Sequence, residues 1–127
     1  MSGFLDTLST ASSGMEAQQR RIRAVAENVA NADTPGYRRK LVSFRAELDE
    51  GRVAVDRVSL DRAELREVHQ PSHPMADARG FVRMSNVDLM TEIADSREAQ
   101  RSYQANLSMF DQARRMYGGL LDLLRRS

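Results

Sequence analysis

Two long runs at the ends of the chain, Phe4 to Ala32 and Asp88 to Leu124, place apolar side chains in alternating steps of four and three without a proline. That spacing draws one stripe along an α-helix, the heptad seam along which helices pair. In the first run the stripe is Phe4, Leu8, Ala11, Met15, Gln18, Ile22, Val25, Val29 and Ala32, and only Gln18 breaks it. The second helix is expected to begin at Asn86 or Asp88. Its stripe is Leu89, Ile93, Ser96, Gln100, Tyr103, Leu107, Phe110, Arg114, Tyr117, Leu121 and Leu124, with Ala99, Asn106, Ala113 and Leu120 on the flank. At 1.5 Å per residue the two helices measure ~43 Å and ~55 Å.

Both seams have soft places. Ser9, Thr10, Ser12, Ser13 and Gly14 form helix poorly, so the first half of the N-terminal helix needs a packing partner. Gly118-Gly119 each cost about 1 kcal/mol against alanine, which predicts a kink or a close backbone approach there. Two helices of this length joined by so small a centre pair with each other and still leave apolar surface for neighbouring copies or partners.

The first helix meets a deliberate stop at Asn28-Val-Ala-Asn-Ala-Asp-Thr-Pro-Gly-Tyr37. Pro35 has no N–H and drives Thr34 out of the helical region, while Gly36 takes a positive φ without strain. Asn31 and Asp33 have short side chains that bond nearby backbone at a helix end.

The middle of the chain is a small β-containing module. The cationic run Arg38, Arg39, Lys40 reads as a solvated face and precedes an extended stretch at Leu41, Val42 and Phe44. Asp49, Glu50 and Gly51 supply a turn. Arg52 to Leu60 alternates at Val53 and Val55, shifts phase, and continues at Val58 and Leu60, as a strand with a bulge does. Glu64 to His69 is its expected strand partner. Pro71-Ser72-His73-Pro74 reads as a loop, and Phe81 to Met84 as a further strand.

Composition narrows the function. With 19 basic and 18 acidic residues in 127, net charge is +1, so no overall field draws the chain to nucleic acid or an anionic membrane, and its partner is expected to be protein. There is no cysteine, hence no disulfide or thiolate metal site. His69 and His73 sit four apart, but Pro71 and Pro74 forbid the helix that would aim both at one metal. Asp49 and Glu50 are adjacent carboxylates beside a turn glycine, a solvated arrangement rather than an acid–base pair. No nucleophile elbow or phosphate loop is present; neither catalysis, nor a cofactor, nor a small-molecule substrate is expected. No secretory signal is legible near Met1, and no run is apolar enough to span a membrane.

The stretch from Asn28 to Tyr37 resembles the N-terminal signature of the bacterial flagellar rod, hook and hook-associated axial proteins, through Asn28, Asn31, Thr34, Pro35, Gly36 and Tyr37. Asp33 stands where that family usually has asparagine. Pro74 to Asp88 and Arg101-Ser-Tyr-Gln-Ala-Asn106 resemble the proximal rod members in particular, with Ser85 and His69 at positions where proline and tyrosine are frequent. The resemblance covers nearly the whole chain. It implies a mainly α fold with the N- and C-terminal helices paired as a coiled-coil inner layer around the axis. Residues 1–36 and 86–127 would form that layer and residues 37–85 the β-rich outer module. It further implies a structural subunit of the basal-body rod, a drive shaft between motor and hook, in the periplasm. The flagellar type III export apparatus would deliver it without a cleaved signal peptide. Implied partners are copies of itself, the other rod proteins and the base of the rod at the membrane ring. Outside that family, the same residues fit a soluble helical adaptor or chaperone-like binding module.

Overall fold

The computed structural model describes residues 2–47 and 52–126. Helix α1 is Ser2–Ala30, strands β1 to β4 are Lys40–Glu47, Arg52–Leu60, Glu67–His69 and Phe81–Arg83, and helix α2 is Leu89–Arg126. The turn expected at Asp49, Glu50 and Gly51 lies outside the described residues.

The helices run antiparallel. Phe4 meets Tyr117 edge to face with ring centroids 6.3 Å apart, Arg21 reaches Asp95 and Glu98, and Asn28 reaches Glu92. Between those points, the position a Cβ would take on Gly14 lies 2.7 Å from Asn106 Oδ1. The side chains sealed between the helices are small: Ala11, Ala17, Ala24 and Val25 from α1, Ala99 and Ala113 from α2. Small residues let two backbones approach closely, and bulkier side chains then move to the rim of the contact. The contact line in α2 is therefore the flank of the apolar stripe, Ala99, Asn106 and Ala113, rather than its centre.

The start of α2 follows from local chemistry. At the start of α2, Asp88 Oδ1 accepts from Met90 N at 3.1 Å and Asp88 Oδ2 from Thr91 Oγ1 at 3.2 Å, an N-cap that satisfies donors the helix cannot. α2 continues through Gly118 and Gly119, and nothing lies within 4 Å of a Cβ built at either. No close approach occurs there; the glycine of α1 that is closely approached is Gly14, by the Asn106 side chain.

β1 and β2 form an antiparallel hairpin with a register shift: Ser43 pairs with Arg57 and Phe44 with Val55, leaving Asp56 extra. The bulge read from the phase shift between Val55 and Val58 is thus present. The partner of β2 is β1, not Glu64 to His69. That segment supplies β3, which pairs with β4 from Glu67↔Arg83 to His69↔Phe81. β1 offers β2 a ladder of eight residue pairs, whereas Glu67–His69 is a strand of only three residues. The first hairpin lies along α1: Lys40 N donates to Asn28 Oδ1 at 2.8 Å, and Val53 N donates to Ser13 Oγ at 3.0 Å.

Candidate functional site

The signature stretch, the first strand and the head of α2 converge on one buried polar cluster. Asn28 is at its centre. Its Nδ2 donates to Lys40 O at 3.1 Å and to both carboxylate oxygens of Glu92 at 3.2 and 3.3 Å; its Oδ1 accepts from Lys40 N and from Tyr37 Oη at 2.9 Å. A side-chain amide offers two donors and one acceptor oxygen, and all are engaged. Glu92 is fully buried, as is Asn28.

A buried carboxylate persists when it is paired and hydrogen-bonded. Arg39 supplies the counter-charge, donating from Nε to Glu92 Oε1 at 2.7 Å. Its other nitrogens reach Asp95 at 3.1 Å and Asp61 at 3.4 Å, so one guanidinium ties the residue just before β1 to α2 and to the residue just after β2. Its side chain is only 12% exposed, which corrects the reading of Arg38 to Lys40 as a solvated face. Burial alone would lower the Arg39 pKa; the hydrogen bond and charge of Glu92, with Asp61 and Asp95, outweigh it and hold the group above its ordinary value. Lys40 is likewise raised, by its hydrogen bond to Glu27. Burial raises the Tyr37 phenol, with Glu27 and Glu92 adding to the effect against Lys40.

The turn is built as the Pro-Gly pair predicts. Asn31 Nδ2 donates to Glu27 O at 2.9 Å, satisfying a carbonyl at the end of α1, and Thr34 Oγ1 donates to Asn31 Oδ1 at 3.1 Å. Gly36 sits at φ 78°, and its N–H donates to Met84 O at 3.0 Å. Ser85 Oγ donates to Ala32 O, while Asn86 Oδ1 accepts from Arg39 N at 2.7 Å. Two of the three stretches that carry the family resemblance, 28–37 and 74–88, therefore hold one another, and Val82, Met84 and Val87 are buried in the second of them.

The seam residues divide. Val25 is buried; Phe4, Leu8, Met15, Ile22, Tyr103, Leu107, Phe110, Tyr117 and Leu121 are half-buried; Val29, Leu89, Ile93 and Leu124 are exposed. Ile22, Val25, Val29 and Ile93 line an open groove of about 550 Å³ between the helices. The sequence does not single out Glu92 or Arg39 as site residues, because a charged residue on a helix, or in a cationic run, normally faces water. His69 packs edge-on against Phe81 at 4.9 Å, and His73 Nδ1 accepts from Met75 N at 3.0 Å. Among the described residues no group of three or more potential metal ligands converges, and no helix is long and apolar enough to cross a membrane.

Residues 8–38 match the family described as flagella basal body rod protein, and residues 78–123 match the flagellar basal body rod FlgEFG protein C-terminal family. The flagellar basal-body rod protein FlgC of Agrobacterium fabrum is 45% identical over 138 residues, spanning 97% of this chain and 99% of that relative. The chain belongs to the FlgC family of flagellar basal-body rod proteins. FlgC of Salmonella typhimurium is 35% identical over 123 residues, with 89% of this chain and 92% of the relative covered. For FlgC of Borreliella burgdorferi the identity is 28% over 150 residues, with coverage of 97% and 99%. As a FlgC-family member the chain is a structural component of the flagellar rod and not an enzyme. The adaptor or chaperone-like alternative finds no support among these relatives.

Proposed function

We propose that this FlgC-family chain is a subunit of the proximal rod, in which the paired terminal helices form an inner coiled-coil layer and the β-containing part an outer module. Residues 1–36 and 86–127 make the inner part and 37–85 the outer one. The rod so built is the shaft that carries torque from motor to hook across the periplasm. Its subunits arrive through the flagellar type III export apparatus and pack against copies of themselves, against other rod proteins and against the rod base at the membrane ring.

The observation that carries this reading is the surface left on the helix pair. Val29, Leu89 and Ile93 are large, apolar and exposed in the isolated chain although they lie on the heptad stripe. A helix pair with apolar residues turned outward is completed by neighbouring helices. The buried Arg39–Glu92–Asn28 cluster supports the second half of the proposal, because it fixes the hairpin against both helices and so sets the direction in which an outer module projects. Replacing Leu107 or Phe110 by aspartate puts a charge on the seam. Either substitution is expected to abolish rod assembly and swimming, and normal motility in both variants refutes the packing role of the seam.

A further inference from the structure

The β1–β2 hairpin lies along α1 without sealing against it. Two open cavities of about 280 and 300 Å³ remain between them and share Arg20, so together they form one trough. Its α1 wall, Ser13 to Glu27, is about 21 Å long. The floor is apolar, made by Ala17 and Ala24 on α1 and by Val42, Val55 and Val58 on the hairpin. Val42 pairs with Val58 and Lys40 with Leu60, which places Val58 and Leu60 on one face of β2. They stay 45% and 56% exposed. β2 is an edge strand, and neighbouring apolar side chains left open on an edge mark a surface that something else covers.

The rim of the trough is cationic. Arg20, Arg23, Lys40 and Arg52 line it against Glu16 and Glu27, and Glu27 is held by Lys40. Arg20 and Arg23, one helical turn apart, are exposed and make no ion pair among the described residues. Arginine carries an apolar stem and a planar fork of donors, so a wall of this kind matches carboxylates set beside apolar side chains. The chain's own carboxylates are a poor match among the described residues. Asp33 sits on Arg66, Asp77 on Arg79, Asp111 on Arg114, and Asp88 caps α2. Asp95 and Glu98 sit on Arg21, while Asp6 and Asp122 stand singly on the helices. A second copy would therefore bring cations along with its carboxylates to meet Arg20 and Arg23.

Resting on the reading of the chain as a rod subunit, we infer that this trough docks an acidic, apolar-faced segment of a different protein of the rod. The carboxylates of that segment pair with Arg20 and Arg23, and its apolar side chains cover Val58 and Leu60. One wall of the trough belongs to α1 and the other to the hairpin, so the docked segment bridges the two and holds the hairpin at a fixed distance from the helix.

Photocrosslinking in assembled basal bodies tests this. Val58 is replaced by the photoreactive amino acid p-benzoylphenylalanine, basal bodies with complete rods by electron microscopy are irradiated, and the adduct is mapped by mass spectrometry of its peptides. The expected adduct lies on a different rod protein, within a helical turn of a pair of carboxylates. Adding Arg20→Glu and Arg23→Glu is expected to lower its yield by about fivefold or more, because reversal replaces two exposed attractions by repulsions. An adduct on this chain, an adduct on a segment without carboxylates, an unchanged yield, or no adduct at all overturns the inference. Each of these leaves the rod reading intact while the chain is present in the purified rods; its absence from them refutes that reading instead. If the position 58 variant builds no rod, the probe is moved to position 60. If the double reversal builds none, Arg20→Gln with Arg23→Gln replaces it, with the same outcomes deciding.

Discussion

Replacing Arg39 by methionine removes the counter-charge of a carboxylate that has no exposed surface. In the variant, Glu92 keeps only the Asn28 amide at 3.2–3.3 Å, while Asp61 and Asp95 lose their shared cation. Breaking a buried pair on one side costs about 3–5 kcal/mol, a large part of the 5–15 kcal/mol that stabilises a typical domain. Glu92→Leu alone is milder, at roughly 1–3 kcal/mol, because the less buried Arg39 keeps Asp95 at 3.1 Å and Asp61 at 3.4 Å. With both changes made, no buried charge is orphaned on the helix side and Asn28 still donates to Lys40 O. The double variant should lie well above the sum of the singles, with a coupling energy of about 2–3 kcal/mol. Urea unfolding of the purified chain, followed by far-ultraviolet circular dichroism, measures all four corners of the cycle. A cost below about 1 kcal/mol for Arg39→Met, or strict additivity, refutes the claim that this pair latches the hairpin to α2.

Three further outcomes are expected. Gly14→Ala gains about 1 kcal/mol of helix propensity but overpacks Asn106 by about 1–3 kcal/mol, so it destabilises; adding Asn106→Ala reverses the sign, and denaturant midpoints of the single and double variants decide. Gly118→Ala and Gly119→Ala meet nothing within 4 Å, and each should stabilise the isolated chain by about 1 kcal/mol; a loss of stability would contradict the open surroundings found there. The Asp77 carboxylate is held below 3.8 by the N–H groups of Phe81 and Arg79, at 3.0 and 2.9 Å. A depressed pKa means that this contribution to the 77–81 turn is present above pH 3.8 and is lost as pH falls through the folded value. The Phe81 amide resonance should titrate with a midpoint below 3.8, and a midpoint at or above 3.8 would contradict the bonds assigned.

Periodicity, glycine and proline account for much of what was legible beforehand. The two helices, the turn at Pro35-Gly36 and the bulge in β2 each follow from a local rule that a single stretch of chain obeys. Contacts that need two distant stretches were harder to read. The stripe of large apolar residues marks a face of each helix, but the line of closest contact belongs to Gly14 and to Ala11, Ala17, Ala99 and Ala113, whose small size carries no hydropathy signal. The partner of β2 is set by the eight-pair ladder that β1 offers it, which is a property of both strands together and not of either alone. Arg39 and Glu92 were unreadable for a sharper reason: 53 residues apart, each looks like a surface charge, and only the fold brings them within 2.7 Å. For the site, the signature residues were identified, yet the work of Asn28 became visible only with Lys40, Tyr37 and Glu92 around it.

As a member of the FlgC family this chain is a structural part of the rod. Electron microscopy of basal bodies purified from a strain lacking the gene, scored for a complete rod, tests it most directly. The rod is expected to be missing and to be restored by the intact gene; complete rods bearing normal hooks in the deletion strain would contradict a structural role.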